Sequence, residues 1–468
     1  MTSRPDRRND LWALFAVLWA SSVLFHLAGN TRLAPEWGRA LLGAAAVAVL
    51  VRPRIALLTV PLALAVLTNV WLEAPLLGNH WLLQGFVAVI VLGSVLGARG
   101  KGSAAVDRLV GPARLTLLAF YGFAAFAKLN GDFFEPVASC AVFYLRESAD
   151  SWGALSLVDG LSPGAERAVA IVVASVELSV PVLLFFRRTR TVGVLLGSAF
   201  HFVLALDRSH QFFDFSSILL VLFVLFLDER TRVEVVDLAQ RARATAAARW
   251  ESGPEISHLL LLASLAGVVV FASGPDDWSA PRDLRSAGVW AWIVFGSAVT
   301  IVVIRAVRAT VAEADPHLVE ADQPRWLLLL PALAVLNGLT PYLEVKSGYG
   351  WNMYSNLAVV DGESNHLLIR GGPALTGGHD RLVEIIESDD PGLGFYVRGD
   401  WLLPEQQLVD YLADHPGSTA SGVVNGENVR YESAAGAARP VWQQKFQVFR
   451  AVDAEGPVNC QPSFGPAR

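Results

Sequence analysis

Long apolar stretches alternate with short polar connections over the first 340 residues of the chain. Most of them hold the roughly 17–25 mainly apolar residues that a helix needs to cross ~30 Å of hydrocarbon. The second and the eighth are short, so tilting, pairing or re-entry remains open for them. The pattern predicts an all-α polytopic membrane bundle of about eleven transmembrane helices. We place these helices near residues 10–29, 37–51, 54–72, 80–98, 110–128, 165–186, 189–206, 213–227, 257–273, 286–304 and 325–340.

Residues 341–468 have a different pattern, and we treat them as a second domain that follows a membrane domain at 1–340. Apolar residues become short and alternating, as at 365–369 and 393–397, and glycine-rich turns separate them. One helix is predicted near 404–415. The tail is therefore expected to be a small α/β or mostly-β domain.

The positively charged residues between the apolar stretches fall mostly on alternate connections. Clusters such as those at 187–190 and 230–249 follow even-numbered stretches, whereas the intervening connections hold few. Cytosolic loops of membrane proteins are enriched in Lys and Arg, so the N-terminus is predicted to be cytosolic and the tail extracytoplasmic. The first stretch lacks a small-residue cleavage site close behind it, so we interpret it as a retained helix. The chain is thus predicted to be a multi-pass protein of the cell membrane.

The composition agrees with this class. The chain is 53% hydrophobic with a mean hydropathy of +0.43, which is high for a soluble protein of 468 residues. Outside the cytosolic connections there is no basic tract of the kind that binds nucleic acid. The motifs HExxH and CxxC are absent, and no metal site is predicted.

The chain has two cysteines, Cys140 and Cys460. Two are too few for a disulfide framework or a cysteine-based zinc site. Both fall on the predicted extracytoplasmic side, where a disulfide can persist. Two unpaired thiols are the simpler interpretation, and a bond between them is the alternative.

Ionisable and amide side chains gather at the predicted outer ends of several helices. Such residues are costly inside a membrane and by default suggest a functional site. The alternative is that polar side chains snorkel at helix ends, as any single histidine can do. Their joint occurrence at one level of the bilayer favours a site. The residues concerned are His26, Asn79, His80, Lys128 and His201.

Lys128 is the most informative of these residues, because the chain has only four lysines among its 37 Lys and Arg residues. A position that needs only an interfacial cation would usually hold arginine in this chain. A desolvated lysine can release its proton, whereas arginine stays protonated. Lys128 is therefore a candidate base. Glu177 lies in the middle of the sixth stretch with no partner evident in the sequence, and is either a protonated, hydrogen-bonded group or part of a proton or substrate path.

Four segments of the chain resemble one known family. Residues 121–133 resemble the catalytic-lysine segment of vitamin K-dependent gamma-carboxylases and of their bacterial relatives, the horizontally transferred transmembrane (HTTM) domain proteins. Asn79-His80 matches an Asn-His pair of that family, and residues 200–216 resemble its later Phe-His helix. Residues 348–353 resemble its Tyr-Ser-Trp-Asp-Met stretch. The chain is thus similar to a bacterial member of this family over most of its length.

The resemblance implies an O2-dependent oxidation (epoxidation) of a reduced naphthoquinone such as vitamin K hydroquinone or menaquinol. Coupling to carboxylation of a peptide glutamate by CO2 is a further expectation. Lys128 would act as the base on the quinol, and His80 would orient the ring or stabilise its oxyanion. The implied partners are the lipid bilayer, a lipid-soluble quinone and a peptide or protein substrate on the extracytoplasmic side. The implied cofactor-binding residues are Asn79, His201, Trp351 and Met353.

The chain also departs from the family pattern. Ala127 stands where the animal enzyme has the first lysine of a doublet, and Asn352 stands where an aspartate is expected. The tail is much smaller than the lumenal domain of that enzyme, which weakens the expectation of carboxylation. The alternative function is a non-catalytic quinone- or lipid-binding membrane scaffold, or a transporter. A transporter would predict inverted repeats and broken helices near the midplane, which the sequence does not show.

Overall fold

The apolar stretches of the sequence form long helices in the computed structural model. The structure describes residues 4–29, 34–249, 282–310, 318–319, 324–398, 401–432, 438–453, 458 and 460. The first ten helices are α1 (Arg4–Gly29), α2 (Glu36–Val51), α3 (Thr59–Glu73), α4 (Asn79–Gly97), α5 (Gly102–Phe126), α6 (Cys140–Ser151), α7 (Pro163–Phe185), α8 (Arg190–Leu204), α9 (Phe212–Val224) and α10 (Glu229–Arg249). Helices Arg282–Ala309 and Leu329–Leu339 follow, and short 3₁₀ turns lie at Ala56–Leu58, Asp132–Phe134, Leu155–Leu157 and Arg325–Leu328.

Within the described part of the chain, six helical segments are long and apolar enough to cross a membrane, which confirms a mostly helical, membrane-associated chain. The predicted count of eleven spans is not confirmed. Three further apolar helices are shorter, at Arg190–Leu204, Phe212–Val224 and Arg325–Leu339. The predicted ninth span, 257–273, lies outside the described residues. The six long segments are Arg7–Gly29, Ala56–Glu73, Asn79–Gly97, Gly102–Phe126, Pro163–Phe185 and Ala287–Ala309.

The short eighth stretch has a physical explanation, because α9 lies in the centre of the bundle. Every residue from Phe212 to Val224 is buried, and α9 packs against α1, α8, α4 and α5. A helix that is apolar on all sides and enclosed by other helices does not need lipid contact on any face. The short length of α9 is therefore explained by its central position, and the helix does not need to match the thickness of a bilayer.

Helix α5 begins eight residues before the predicted fifth span, at Gly102 instead of residue 110. Arg114 lies inside the predicted fifth span although its charge was counted with the cytosolic connection, and it is 2% exposed in the structure. Its Nε donates to the backbone carbonyl of Leu225 at 2.8 Å, just beyond the C-terminal end of α9. A helix end with free carbonyls offers the acceptors and the negative partial charge that make a buried guanidinium tolerable.

The tail contains a five-stranded antiparallel sheet. Its strands are β3 (Leu382–Ser388), β4 (Trp401–Pro404), β5 (Thr419–Val424), β6 (Glu427–Glu432) and β7 (Val452–Asp453), in the spatial order β6-β5-β3-β4-β7. A separate hairpin joins β1 (Val359–Val360) to β2 (Glu363–Ser364). Asn425 and Gly426 connect β5 to β6 with φ of 51° and 82°, as a tight two-residue hairpin turn requires. Short helices lie at Gly394–Arg398, Glu405–Asp414 and Val441–Phe446.

The predicted helix at 404–415 is confirmed as Glu405–Asp414. The alternating segments 365–369 and 393–397 suggested strands, but neither forms a strand in the structure. Residues 394–398 form a helical turn, in which Leu393 and Tyr396 face the core together because they are three positions apart. A few apolar residues at such spacing fit both the helical and the strand repeat, so the pattern alone could not distinguish a helix from a strand.

The tail packs against one end of the helical bundle. The ammonium group of Lys445 donates to the backbone carbonyls of Trp71 at 2.9 Å and Ala74 at 2.8 Å, at the end of α3. The backbone of Leu367 donates to the carbonyl of Leu129, just after α5. These contacts place the tail over the connections α3–α4 and α5–α6.

A disulfide joins Cys140, the first residue of α6, to Cys460. The interpretation as two unpaired thiols was therefore wrong. Sequence could not decide the pairing, because the two cysteines are 320 positions apart and meet only when the tail docks. Asn356 closes the same junction, since its side chain donates to the carbonyls of Ala138 and Val458 and accepts from the Cys140 backbone.

This junction generates a prediction about stability. Cys140→Ser and Cys460→Ser should each lower the free energy of unfolding by about 2–4 kcal/mol, since a covalent link across a long loop restrains the unfolded chain. The double variant should lose no more than either single variant, because all three break the same bond. Thermal unfolding in detergent, with peptide mapping under non-reducing conditions, measures this. A double variant that loses twice as much, or a wild-type chain with two free thiols, would contradict it.

Candidate functional site

A cavity of about 260 Å³ lies between α5, α6, α7, α8, the start of α9 and the first residues of the tail. This volume is near the lower end of the ~300–1,000 Å³ usual for small-ligand sites. Apolar and aromatic side chains form most of its wall. Val203 lines the cavity and is also 65% exposed, so the cavity reaches the outer surface of the bundle at α8. The polar or ionisable lining residues include Tyr121, Lys128, Tyr144, Glu177, His201 and Tyr354.

Lys128 and Glu177 form a buried ion pair at the wall of this cavity. The Nζ of Lys128 lies 2.8 Å from Oε2 of Glu177, and their side chains are 5% and 13% exposed. The same ammonium group donates to the backbone carbonyls of Ala124 and Met353, both at 3.3 Å. Its three donors thus have one acceptor on α7, one on α5 and one on the tail. A cation enclosed by apolar helices needs such partners to offset its lost hydration.

The turn that carries Lys128 is held by its neighbour Asn130. Helix α5 ends at Phe126, and the Asn130 side chain donates to the carbonyls of Ala127 and Ser355. Its Oδ1 accepts from the backbone of Phe133 at 2.9 Å. The amide of Asn130 therefore fixes both the chain direction after α5 and the contact with the tail, which together set the position of Lys128.

His201 and Tyr121 supply a second polar group in the cavity. The Tyr121 hydroxyl lies 3.0 Å from Nε2 of His201, and both residues are buried. Nδ1 of His201 has no hydrogen-bond partner among the described residues, nor does the hydroxyl of Tyr144. Buried polar atoms are usually paired. Two such atoms beside one cavity are what a site for a partly polar ligand would contain.

Three residues predicted from the resemblance lie at or next to the cavity through the start of the tail. Met353 lines the cavity and its carbonyl accepts from Lys128. Asn79 does not line it, and its Oδ1 accepts from the backbone of Trp351 at 2.9 Å. Trp351 is fully buried, and its ring packs 5.0 Å from that of Phe120, which lines the cavity. Asn79 and Trp351 therefore support the wall without forming it.

His80 lies elsewhere. Its Nε2 is 2.8 Å from Oδ2 of Asp214, and it belongs to a separate buried cluster with His26. The ring of Phe215 separates the cluster from the cavity, since its centroid lies 5.9 Å from His80 and 5.1 Å from His201. The structure thus brings Lys128, His201 and Met353 together and places His80 behind one aromatic ring.

The tail adds a phenol and a cation beside the cavity. Burial raises the pKa of the Tyr354 phenol well above its ordinary value, so this hydroxyl remains protonated at neutral pH. Burial lowers the pKa of Arg450 to about 10, which still leaves it charged at neutral pH. An Arg450 amino group donates to Oδ1 of Asn352 at 3.2 Å. The asparagine that stands where the family has aspartate is therefore a hydrogen-bond acceptor for this cation.

Lys128 and His201 were predicted from the sequence as site residues, whereas the roles of Glu177, Tyr121 and Tyr144 were not. Glu177 was noticed only as a charge without a partner. Tyr121 lies on α5, seven positions before Lys128, which follows the end of this helix. Seven positions are about two helical turns, so the two side chains are expected on the same side. That spacing was the one available signal. Tyr144 gave none, because the position of α6 depends on the docked tail.

Comparison with known proteins adds no identification. The chain matches no protein-family model, no curated protein and no solved structure.

The buried ion pair leads to a prediction that does not depend on function. Glu177→Gln should destabilise the fold by about 3–5 kcal/mol, because it leaves the Lys128 ammonium without its counter-charge in an apolar wall. The double variant Lys128→Met, Glu177→Leu should be less destabilised than either single variant. Thermal or denaturant unfolding of the protein in detergent gives the comparison.

A matched control is the exposed pair Arg167–Glu135, whose charged atoms lie 3.3 Å apart. Glu135→Gln should change stability by no more than about 1 kcal/mol, because solvent screens that pair. Equal effects of Glu177→Gln and Glu135→Gln would show that the Lys128–Glu177 pair is not buried as described.

Proposed function

We propose that this protein is a membrane-embedded oxidoreductase that binds a reduced naphthoquinone, such as menaquinol, in the cavity beside Lys128 and oxidises it with O2. The observation that carries the proposal is a lysine in the wall of an apolar cavity that is also lined by buried polar atoms with no hydrogen-bond partner among the described residues. A bicyclic quinol is mostly apolar and carries two hydroxyl groups, which matches that distribution of groups.

Lys128 is assigned the role of base. Transfer of one proton along its 2.8 Å contact to Glu177 converts the ion pair to a neutral amine and a carboxylic acid. The amine then accepts a proton from a quinol hydroxyl, which leaves a quinolate and an ammonium group. Glu177 thus serves as the proton acceptor that makes the lysine usable.

The developing oxyanion needs hydrogen-bond donors, and the cavity offers them. His201 and Tyr144 line it and have polar atoms available for a ligand. Donors fixed in an apolar site stabilise negative charge more than they would in water. We assign this role to His201 and Tyr144, and we assign His80 no direct contact with the ring because Phe215 lies between.

The overall reaction balances without another reductant. One quinol and one O2 give one quinone epoxide and one water, and O2 accepts four electrons in all: two as the quinol becomes a quinone and two as the ring double bond becomes the epoxide. The resemblance of residues 121–133 to the catalytic-lysine segment of vitamin K-dependent gamma-carboxylases supports this reaction. It extends the proposal to CO2 and a peptide glutamate as co-substrates, with the tail on the extracytoplasmic side.

A quinone- or lipid-binding protein without catalysis is the second candidate. It is favoured by the complete set of acceptors around Lys128, which is the arrangement expected for a permanently charged ammonium group. The two candidates differ in turnover and not in binding, so one experiment separates them.

The experiment is quinol oxidation by purified protein in air, compared between wild type and Lys128→Arg. The guanidinium keeps the charge but cannot give up its proton near neutral pH, so turnover should fall at least ~10²-fold. Binding of menaquinone to the variant, measured separately, should persist. Lys101→Arg is the matched control, since Lys101 is exposed at the opposite end of α5, and its turnover should equal wild type.

Wild-type turnover in Lys128→Arg would overturn the assignment of the base. Menaquinone binding by the wild type with no turnover in either protein would establish the second candidate. Absence of both binding and turnover would remove the quinone from the account.

A further inference from the structure

A second group of ionisable side chains lies outside the cavity and plays no part in the function proposed above. It consists of His26 on α1, Glu73 at the end of α3, His80 in the first turn of α4 and Asp214 in the first turn of α9. The side chains of His26, Glu73 and Asp214 are 2–4% exposed, and that of His80 is 18% exposed. Four helices thus bring two imidazoles and two carboxylates to one point.

Three atoms of this group that can bind a metal ion lie close together. Oδ2 of Asp214 lies 2.8 Å from Nδ1 of His26 and 2.8 Å from Nε2 of His80. All three atoms lie within 4.8 Å of one another. An ion at about 2.0–2.2 Å from each would need ligand atoms roughly 3.3 Å apart, so binding requires the two contacts at Asp214 to lengthen by about half an ångström and the two histidine nitrogens to lie at a similar separation.

We propose that Nδ1 of His26, Nε2 of His80 and Oδ2 of Asp214 bind a divalent transition-metal ion of the zinc or iron(II) type. Two histidines and one carboxylate form a donor set that such ions favour over calcium or magnesium. Three protein ligands leave a coordination position open, as in catalytic sites and unlike closed structural ones.

The remaining contact of His26 supports the assignment. With Nδ1 on the ion, Nε2 carries the proton and donates to Oε1 of Glu73, 3.0 Å away. Histidine ligands commonly donate their other ring nitrogen to a carboxylate, which fixes the tautomer and makes the ligand more basic. Trp81 stacks on the His26 ring at 3.4 Å between centroids and holds its plane. Glu73 and Trp81 are thus positioning residues for this ligand.

A divalent ion would also balance the charge of this cluster. Glu73 and Asp214 bring two negative charges into a region with little water, and uncompensated charge there is costly. A divalent ion neutralises both carboxylates at once. The alternative is two protonated imidazoles, which would neutralise them equally well and would leave no room for a cation. Measured metal content therefore separates the two states directly.

The test uses the full chain purified in detergent with a tag that contains no histidine. Elemental analysis, followed by removal of metal with a chelator and titration with Zn²⁺, Fe²⁺ under anaerobic conditions, and Co²⁺, should show about one equivalent per chain. Bound Co²⁺ should give visible absorption from nitrogen and oxygen ligands. His80→Gln and Asp214→Asn should lose the equivalent, and Glu73→Gln should weaken binding about 10–100-fold.

His201→Gln is the matched control, because His201 is buried in the same bundle but lies in the cavity. It should keep the metal, while its binding of menaquinone falls, so failure of this proposal is distinguishable from failure of the quinol site. A wild-type chain that takes up none of the three ions would overturn the metal site. Retention of the full equivalent by His80→Gln and Asp214→Asn would overturn it as well. If either variant does not fold, the wild-type titration and Glu73→Gln still decide.

Discussion

The ion pair between Lys128 and Glu177 is the interaction on which the candidate site depends. Lys128 leaves the end of α5, Glu177 comes from α7, and the carbonyl of Met353 comes from the tail. A buried ammonium group is tolerable only where its donors are satisfied, so its presence requires these elements to meet. The cavity forms where they do. The Lys128 ammonium group, which would be costly on a lipid-facing helix, thereby fixes the geometry of the site.

The tail completes this arrangement instead of serving as a separate attachment. It supplies Met353 and Tyr354 to the cavity wall and Trp351 to the packing behind Phe120. Its position is secured by Asn130, by Asn356 and by the disulfide between Cys140 and Cys460. Two centres of buried charge then lie on either side of Phe215, one at Lys128 and one at Asp214. Both centres lie toward the end of the bundle on which the tail packs.

The sequence predicted the secondary-structure elements better than the tertiary contacts between them. Apolar runs such as Asn79–Gly97 and Pro163–Phe185 appear as helices close to their predicted bounds, because hydrophobic length is a local property. The partners of the buried Arg114 could not be predicted, because its acceptors lie at the end of α9. Glu177 could not be paired for the same reason, since its partner is set by how helices pack.

In the tail, too, local elements were predicted and tertiary contacts were not. The helix Glu405–Asp414 has a clear amphipathic pattern and was predicted, whereas 393–397 was too short for its period to be read. The hydrogen bonds that shape the segment around Asn356 are tertiary. The cluster at Asp214 was equally hidden, because His26 was recognised only as a polar residue at a helix end and His80 was assigned to the quinol instead. No spacing motif links the four helices.

The most direct test of the central claim is photoaffinity labelling with a menaquinone analogue whose photoreactive group is attached to the ring. If the cavity beside Lys128 is the quinone site, labelled peptides should come from 120–128, 200–207 and 353–354, and excess menaquinone should suppress the labelling. Lipid-facing residues of α7 such as Ile171 and Val172 provide the internal reference for non-specific insertion. Labelling confined to those surfaces, or unaffected by competition, would contradict the account.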